Sequence, residues 1–564
     1  MRDVRRAFQK TRHQKVRRRD IPSSSIDASA GSRPIASTSD SGRLTWGSAG
    51  LVGLFALLAL CLHVFGLGQR PLWSDEAATY WTVHAHVRDI LVGARTDGTP
   101  PIYFLAVSVA TWVWGWSEVG LRLTSIVAAT LMVPAVFVLA RRISTVRVAL
   151  LAAGLTALSP LVHYYAVEAR NYALVQLETV AIVYMAWRAI ESPDRKRWWG
   201  LLTLAYATQL ATHNYGLFLL PVLPVVCLVI GGRGRIVRGA KAATASLAAC
   251  IAYVPWFGIA RKHAADGVGD WIAPFWRDTP PLAAVLRSFE VFGFGGLYPR
   301  YLSYLGRATP MRFLSVAVTA GMLGIAAACR WPSESDRDSH VRAKVLCLGF
   351  LLLPLIGAWL VSFLREPLYL VGRYDTIVLP VFLIVFAIGL AWLTRVRPVA
   401  GWGAVILTAG LGIMSHSTSL AGVKVDNKDQ MAAREIAEQA RASDPVVSTG
   451  LRRPAVDYYL DREGHHMAIT SFPPEINDHP GWFSAEKILD DRVQLQKEAD
   501  ALAQTVAREG NGGHVWLLMS DPNEVDSFLS VALSHRFVVD EECTHRELEL
   551  YCLSSTSAGP DEFR

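Results

Sequence analysis

Arg70-Pro71-Leu72-Trp73-Ser74-Asp75-Glu76-Ala77-Ala78-Thr79-Tyr80 follows the first long apolar run of the chain, Leu51 to Leu67. Such a run has the length of a membrane span, because about 20 helical residues cross the hydrocarbon core. The acidic pair therefore stands where a helix leaves the bilayer, beside Trp73, Tyr80 and Trp81, whose rings suit a membrane interface. A carboxylate at that level can take a proton from an attacking hydroxyl. Paired carboxylates can also hold a divalent cation. The plainer alternative is a solvated acidic loop that caps the helix after it.

The composition agrees with a membrane scaffold around this pair. Of 564 residues, 52% are hydrophobic, and the mean hydropathy is +0.27. Apolar runs of span length recur, so the expected class is a mostly α polytopic membrane protein with a polar region at each end. The net charge of +8 is uneven. Arg2, Arg5, Arg6, Lys10, Arg12, Lys15, Arg17, Arg18 and Arg19 crowd the start. That run reads as a cytosolic tail at the lipid headgroups rather than as a nucleic-acid-binding arm. Residues 20–45 are rich in Ser, Ala and Pro without periodicity and read as linker, so 1–45 is expected to be a disordered basic tail. No cleaved signal peptide is expected, since the first apolar run starts late and is long.

The basic loops choose the topology. If the short apolar stretch 101–117 crossed the bilayer, Arg141, Arg142 and Arg147 would fall outside. If it lies along the surface, they fall inside. So do Arg188 with Arg195 to Arg197, Arg233 to Lys241, Arg330 to Lys344, and Arg395 with Arg397. The surface helix satisfies the positive-inside rule at every loop. Spans are then expected at 51–67, 121–141, 147–165, 172–190, 198–212, 216–231, 240–260, 309–330, 344–364, 369–393 and 400–418. An odd count puts the N-terminus in the cytosol and the C-terminal region outside the plasma (inner) membrane. The transmembrane domain is expected over 46–420, with external loops at 68–120 and 261–308.

Residues 421–564 change character, with shorter apolar runs and more charge. Helices are expected at 428–441, 456–462, 485–508 and 522–534. Strands are expected at 445–449, 465–470 and 514–520, with a strand pair over 537–553. This reads as a small extracytoplasmic α/β domain. Cys543 and Cys552 fall on that strand pair, either as a disulfide or as two buried thiols. The other five of the seven cysteines lie in or beside apolar runs, where Cys is a small hydrophobe.

More chemistry-bearing residues collect at the external junctions. Ser159-Pro160 breaks a span, and His163, Tyr164, Tyr165, Glu168, Arg170 and Tyr172 follow. Aromatic-belt residues explain the tyrosines, but not an acid and an arginine so close to the bilayer. His213-Asn214-Tyr215 and Arg373-Tyr374 sit at two further junctions on the same side. An arginine at headgroup depth can bind a phosphate with its planar fork; snorkelling to lipid is the bland reading.

The order of these features resembles the GT-C glycosyltransferases, in the branch of the protein O-mannosyltransferases and the lipid A aminoarabinose transferase (family 39 and its relatives). The matching parts are Trp73 to Ala77, Pro100-Pro101-Ile102-Tyr103-Phe104, Ser117 to Leu123, Ala140-Arg141-Arg142, Ser159-Pro160 with Tyr165 to Tyr172, Thr212 to Tyr215, and Gly372-Arg373-Tyr374. Together they cover roughly residues 50–395. Thr99 departs from the pattern, since many bacterial relatives have a His before the Pro pair.

The resemblance implies an inverting transfer of a sugar from a polyprenyl-phosphate donor to a hydroxyl on protein, lipid or polysaccharide. It implies Asp75 as general base, Glu76 as a group positioning the donor or Asp75, and Glu168 as the second acid. It places Arg170, Tyr172, His213, Arg373 and Tyr374 around the donor, with the arginines on the leaving lipid phosphate. It implies no cofactor and no bound metal, although the acids could take a divalent cation. Three other readings compete: a lipid-modifying transferase that moves a non-sugar group, a transporter or flippase of a polyprenyl-linked sugar, and a scaffold presenting the C-terminal domain. An ion-coupled transporter would more often carry acids or bases deep in its helices, whereas the spans here are nearly uncharged apart from Glu178.

Overall fold

The computed structural model describes residues 46–555 apart from 66, 68, 69, 85–89, 93, 95–97, 233, 266–271, 273–280, 295–309, 332–336, 366, 423–426, 479–484, 511–513 and 521–523. The basic tail and linker expected over 1–45, and most of the 261–308 loop, lie outside the described residues.

Each stretch expected to span contains an α-helix. The helices are α1 (Trp46–Val64), α2 (Ser74–Val83), α3 (Ile102–Trp114), α4 (Glu118–Ile143), α5 (Val146–Leu158), α6 (Pro160–Ala166), α7 (Tyr172–Glu191), α8 (Lys196–Leu210), α9 (Val222–Ile230), α10 (Arg235–Ala265), α11 (Pro281–Phe292), α12 (Pro310–Ala328), α13 (Arg337–Leu364), α14 (Leu379–Val396) and α15 (Pro398–Gly422). Among the described residues, 7 helices are long and apolar enough to cross a membrane, or 8 if the pair α5–α6 counts as one bent span. The chain is thus a multi-pass membrane protein. The 15-residue α8 rises only about 23 Å, short of the roughly 30 Å hydrocarbon core. It has the length expected for 198–212, whereas the 9-residue α9 is shorter than the expected 216–231, whose first part forms a 3-10 turn at Asn214–Leu219.

Local chemistry sets the breaks that matter. Ser159 ends α5, and its Oγ accepts from the Val162 amide to cap α6, with Pro160 in the first turn. The two helices bend by 54° there, as expected where proline interrupts the ladder. Ser117 caps α4 through the Gly120 amide at 3.1 Å. Leu379 to Ala391 of α14 are buried without interruption, which marks α14 as the central helix of the bundle. It packs on α12 so closely that a Cβ at Gly389 would meet the Met322 carbonyl oxygen at 2.3 Å.

Asp75 and Glu76 do not lie in a loop. Ser74 opens α2, and Asp75 and Glu76 occupy its first turn, where acids face the positive end of the helix dipole. The 13 residues of α3 give about 20 Å of helix, and Trp112, Val113 and Trp114 are exposed along it.

After α15 the chain adds an α/β layer. Its helices are α16 (Lys428–Gln439), α17 (Arg453–Glu463), α18 (Glu475–Asp478), α19 (Ala485–Asp490), α20 (Arg492–Glu509) and α21 (Glu524–Ser534). Its strands are β1 (Val446–Thr449), β2 (Ile469–Phe472), β3 (His514–Leu518), β4 (Phe537–Val539) and β5 (Leu550–Ser555). The sheet order is β2-β1-β3-β5-β4. β1 pairs in parallel with β2 and β3, while β5 runs antiparallel to β3 and β4. Two boundaries differ from the sequence reading. β2 starts later because Gly464 (φ 80°) turns the chain and His465 still donates to the Leu460 carbonyl. The helix expected over 485–508 is two helices, because Asp491 starts a new one by capping the Gln494 amide. Cys543 and Cys552 form a disulfide. Cys552 lies on β5, but Cys543 sits in the turn before it.

Candidate active site

Four junctions meet around Asp75. The Asp75 carboxylate takes a 2.5 Å ion pair from Arg373 Nη2. Arg373 Nε donates to the Tyr172 hydroxyl at 2.6 Å, and its guanidinium lies 5.6 Å from the Tyr172 ring centre and 5.9 Å from that of Tyr374. Arg170 donates to the Asp75 carbonyl at 3.3 Å. Gly372, with φ 73°, lets the chain turn into Arg373, and its carbonyl accepts from the buried Tyr165 hydroxyl. Burial opposes the Arg373 charge, but Tyr172, Asp75, Tyr374 and Glu168 around it keep the guanidinium protonated.

Glu76 does not join Asp75. Successive helical residues point about 100° apart, so the neighbour turns inward to a buried partner, Arg122 of α4. Arg122 Nε and Nη2 reach the two Glu76 oxygens at 2.7 and 2.6 Å. Its remaining donors go to the carbonyls of Leu67, Arg70 and Pro71. Glu76 Oε1 also accepts from the Ala169 amide at 2.8 Å, and Thr79 donates to the Ala169 carbonyl. Glu76 and Arg122 thus lock the segment before Asp75 to the segment that carries Glu168 and Arg170. Sequence reasoning missed Arg122. The available signal was a charged residue in the first turns of an apolar span, where ionisable groups are costly.

Glu168 is 6% exposed, and its Oε2 has no hydrogen-bond partner. Burial, the largest influence, pushes its carboxyl from 4.5 up to about 7; the Glu76 and Asp75 charges add to this while Arg373 and Arg170 oppose it. Burial thus opposes a negative charge on Glu168, beside the guanidiniums of Arg170 and Arg373. The folded chain then holds a proton that the unfolded chain releases near its ordinary value. This stabilisation is complete below about 4.5 and is lost as pH rises through about 7. Glu168→Gln is expected to remove a pH dependence on the order of 3 kcal/mol across that window, read as thermal unfolding of the solubilised protein at pH 5 and pH 8.

The His213 ring is 5.4 Å from Tyr374 and 6.0 Å from Tyr172. Burial, followed by the charges of Arg170 and Arg373, holds its pKa down at about 3. Its Nδ1 accepts from the Tyr215 amide at 3.0 Å. It is a neutral wall of the site, not a proton carrier at neutral pH. The 213–215 turn is tied to the first loop where Asn214 Nδ2 donates to the Gly98 carbonyl at 3.0 Å. Asn171 Nδ2 donates to the Thr212 carbonyl at 2.8 Å.

The C-terminal layer reaches the same helix. The Leu72 amide donates to the Tyr459 hydroxyl at 2.8 Å, and the Tyr80 hydroxyl donates to Asp461 at 3.0 Å. Arg462 pairs with Glu118, and Arg453 stacks 4.8 Å over Trp81. So α17 holds α2 and the residue Leu72 before it, and reaches α4 through Glu118. These contacts, made across hundreds of residues, leave no trace in local sequence.

A family described as dolichyl-phosphate-mannose-protein mannosyltransferase matches residues 98–259. That segment holds Glu168, Arg170, Tyr172 and His213, but neither Asp75 nor Arg373. ArnT from Cupriavidus metallidurans, in the apo state, superimposes with a TM-score of 0.58 at 15% identity, over 91% of this chain and 100% of that one. The chain has the GT-C fold. The same enzyme bound to undecaprenyl phosphate gives a TM-score of 0.56 at 16% identity. The undecaprenyl phosphate-alpha-4-amino-4-deoxy-L-arabinose arabinosyl transferases of two Pseudomonas aeruginosa strains are 25% identical over 234 residues. That match spans 40% of this chain and 41% of each relative. The chain resembles the GT-C mannosyl- and aminoarabinosyltransferases in sequence as well as in fold.

Proposed function

We propose that the protein is an inverting glycosyltransferase. It moves a sugar from a polyprenyl-phosphate donor to a hydroxyl acceptor at the outer face of the plasma membrane. The observation that carries this reading is the ion pair of Asp75 with Arg373, flanked by Arg170, on a fold shared with an ArnT crystallised with undecaprenyl phosphate. Arg373 and Arg170 both reach Asp75, and burial opposes a negative charge on Glu168 beside them. The site is therefore built for an anion more than for a divalent cation.

The pair suggests how the step runs. A donor phosphate competes with Asp75 for the Arg373 fork, because both present two oxygens. Phosphate binding frees the Asp75 carboxylate. The acceptor hydroxyl gives its proton to Asp75, its oxygen bonds to the anomeric carbon, and the carbon–oxygen bond to phosphate breaks on the opposite face. The electron pair stays on the lipid phosphate, whose growing charge Arg373 and Arg170 stabilise. Transfer inverts the anomeric carbon because base and leaving group act from opposite sides.

Membranes that hold the chain are expected to release polyprenyl phosphate from labelled polyprenyl-phosphate sugars and to pass the label to an acceptor. Arg373→Gln is expected to slow release by about 10²–10³-fold, the loss seen when an oxyanion donor is removed. Label that crosses the bilayer with its sugar–phosphate bond intact would make the protein a carrier and sink the transferase reading.

A further inference from the structure

Glu178 stands out among the spans and has no part in the candidate site. It lies on α7, six positions beyond Tyr172, or about 9 Å along the helix. An ionisable side chain in an apolar run is costly and calls for a partner. The Thr212 hydroxyl lies 2.7 Å from Glu178 Oε1. The second oxygen, Oε2, is buried without a hydrogen bond. Among the described residues, Thr212 is therefore the one group that this carboxyl holds. Thr212 is the residue before His213, which walls the candidate site.

Thr212 does not need Glu178 to be satisfied. Its hydroxyl also lies 2.9 Å from the Thr208 carbonyl, four positions back, the usual local partner of a threonine on a helix. What Glu178 adds is a fixed point outside α8. α8 ends at Leu210, and a 3-10 turn begins at Asn214, so residues 211–214 form a corner. Other elements tie that corner down. The Ala211 carbonyl accepts from the Ile102 amide at 3.0 Å. The Thr212 carbonyl accepts from Asn171, the N-cap of α7, at 2.8 Å. Asn214 Oδ1 accepts from the Tyr253 hydroxyl of α10 at 3.0 Å. Asn171 thus holds the main chain of Thr212 and Glu178 holds its side chain. Both anchors belong to α7, which also carries Tyr172. The His213 ring, 6.0 Å from Tyr172 and 5.4 Å from Tyr374, is referenced to the same helix as the ring it faces.

We propose that Glu178 is a positioning residue of the donor site: through Thr212 it fixes the corner that presents His213 beside Tyr172 and Tyr374. The ligand it serves, a polyprenyl-phosphate sugar, rests on the transferase reading; the hold on His213 is a property of the fold and does not. Leucine separates this role from a packing role. Glu178→Leu strands no partner, because Thr212 keeps the Thr208 carbonyl, and it takes a half-bonded carboxyl out of an apolar bundle. Stability is therefore held or raised while the corner loses its anchor.

Two readouts on the full chain test it. Diethyl pyrocarbonate acylates neutral imidazoles, and mass spectrometry of the peptides gives the rate at His213, with the exposed His465 as internal control. Glu178→Leu is expected to raise the His213 rate at least about threefold, to leave His465 unchanged, and to unfold at or above the wild-type temperature. In transfer from labelled polyprenyl-phosphate sugars, the same variant is expected to raise donor KM about three- to tenfold, roughly the worth of one hydrogen bond. Its kcat should change less than about twofold, because a wall of the site binds donor and transition state alike. Glu178→Gln, which can still meet the Thr212 hydroxyl, is expected to restore both readouts. Thr212→Val breaks the same contact from the other side and takes the place of the leucine variant if that one does not fold. Equal labelling of His213 in wild type and variant overturns the proposal. So does faster labelling with donor KM unchanged, or a loss of stability that runs in step with the loss of activity. If wild type transfers sugar from no donor, the transferase reading falls, and the labelling rates alone decide whether Glu178 sets His213.

Discussion

Asp75→Asn is expected to lower sugar transfer by about 10²–10⁴-fold, the range that a positioned general base contributes. The chain should still fold and bind donor. Asparagine has nearly the shape of aspartate and can still accept from Arg373 through its carbonyl oxygen, but it cannot take the acceptor's proton. The loss should therefore appear in kcat, with donor KM little changed or lower, because Arg373 is no longer shared with a carboxylate. Release of labelled polyprenyl phosphate against donor concentration, at equal protein level in membranes, gives both constants. Equal turnover by wild type and variant would remove Asp75 from the chemistry. A pure rise in KM would make it a donor contact instead.

The acidic pair was legible because ionisable residues at the edge of an apolar run are costly and conspicuous. So were the spans, since hydropathy marks them one segment at a time. The same local signal located Glu168, Arg170, His213 and Arg373 at junctions, and the fold gathers them. What the sequence could not show is which partner each side chain takes. Asp75 and Arg373 are 298 residues apart, and no periodicity links them. Asp75 and Glu76 look like one functional unit when written in a line. Placed in the first turn of α2 they face different ways, and Glu76 closes on Arg122.

The C-terminal layer shows the same limit. Its strands and helices follow from alternation and caps, within a few residues. That Tyr459 and Asp461 of α17 hold Leu72 and Tyr80 is a matter of docking, which depends on surfaces and not on spacing. Glu178 is an isolated acid in an apolar run, and only packing puts Thr212 beside it.

Arg122→Ala is expected to be the most damaging change to the scaffold, at about 3–5 kcal/mol, because it strands the Glu76 carboxylate in the interior. The magnitude follows from how fully the guanidinium is used. Its five N–H groups meet the two Glu76 oxygens and the carbonyls of Leu67, Arg70 and Pro71, and its side chain is 1% exposed. Lysine keeps the charge but offers a compact ammonium in place of a planar fork, so Arg122→Lys should recover only part of the loss. The double variant Arg122→Met with Glu76→Gln should be more stable than Arg122→Ala, because no unpaired charge remains. It should nevertheless be slow in transfer, since the segment leading into Asp75 has lost its clamp to the Glu168–Arg170 segment. The fraction of solubilised protein that stays monodisperse after heating ranks the four proteins. If Arg122→Ala heats like wild type, the buried pair carries no stability. If the double variant matches wild type in donor turnover, Glu76 and Arg122 do not position Asp75.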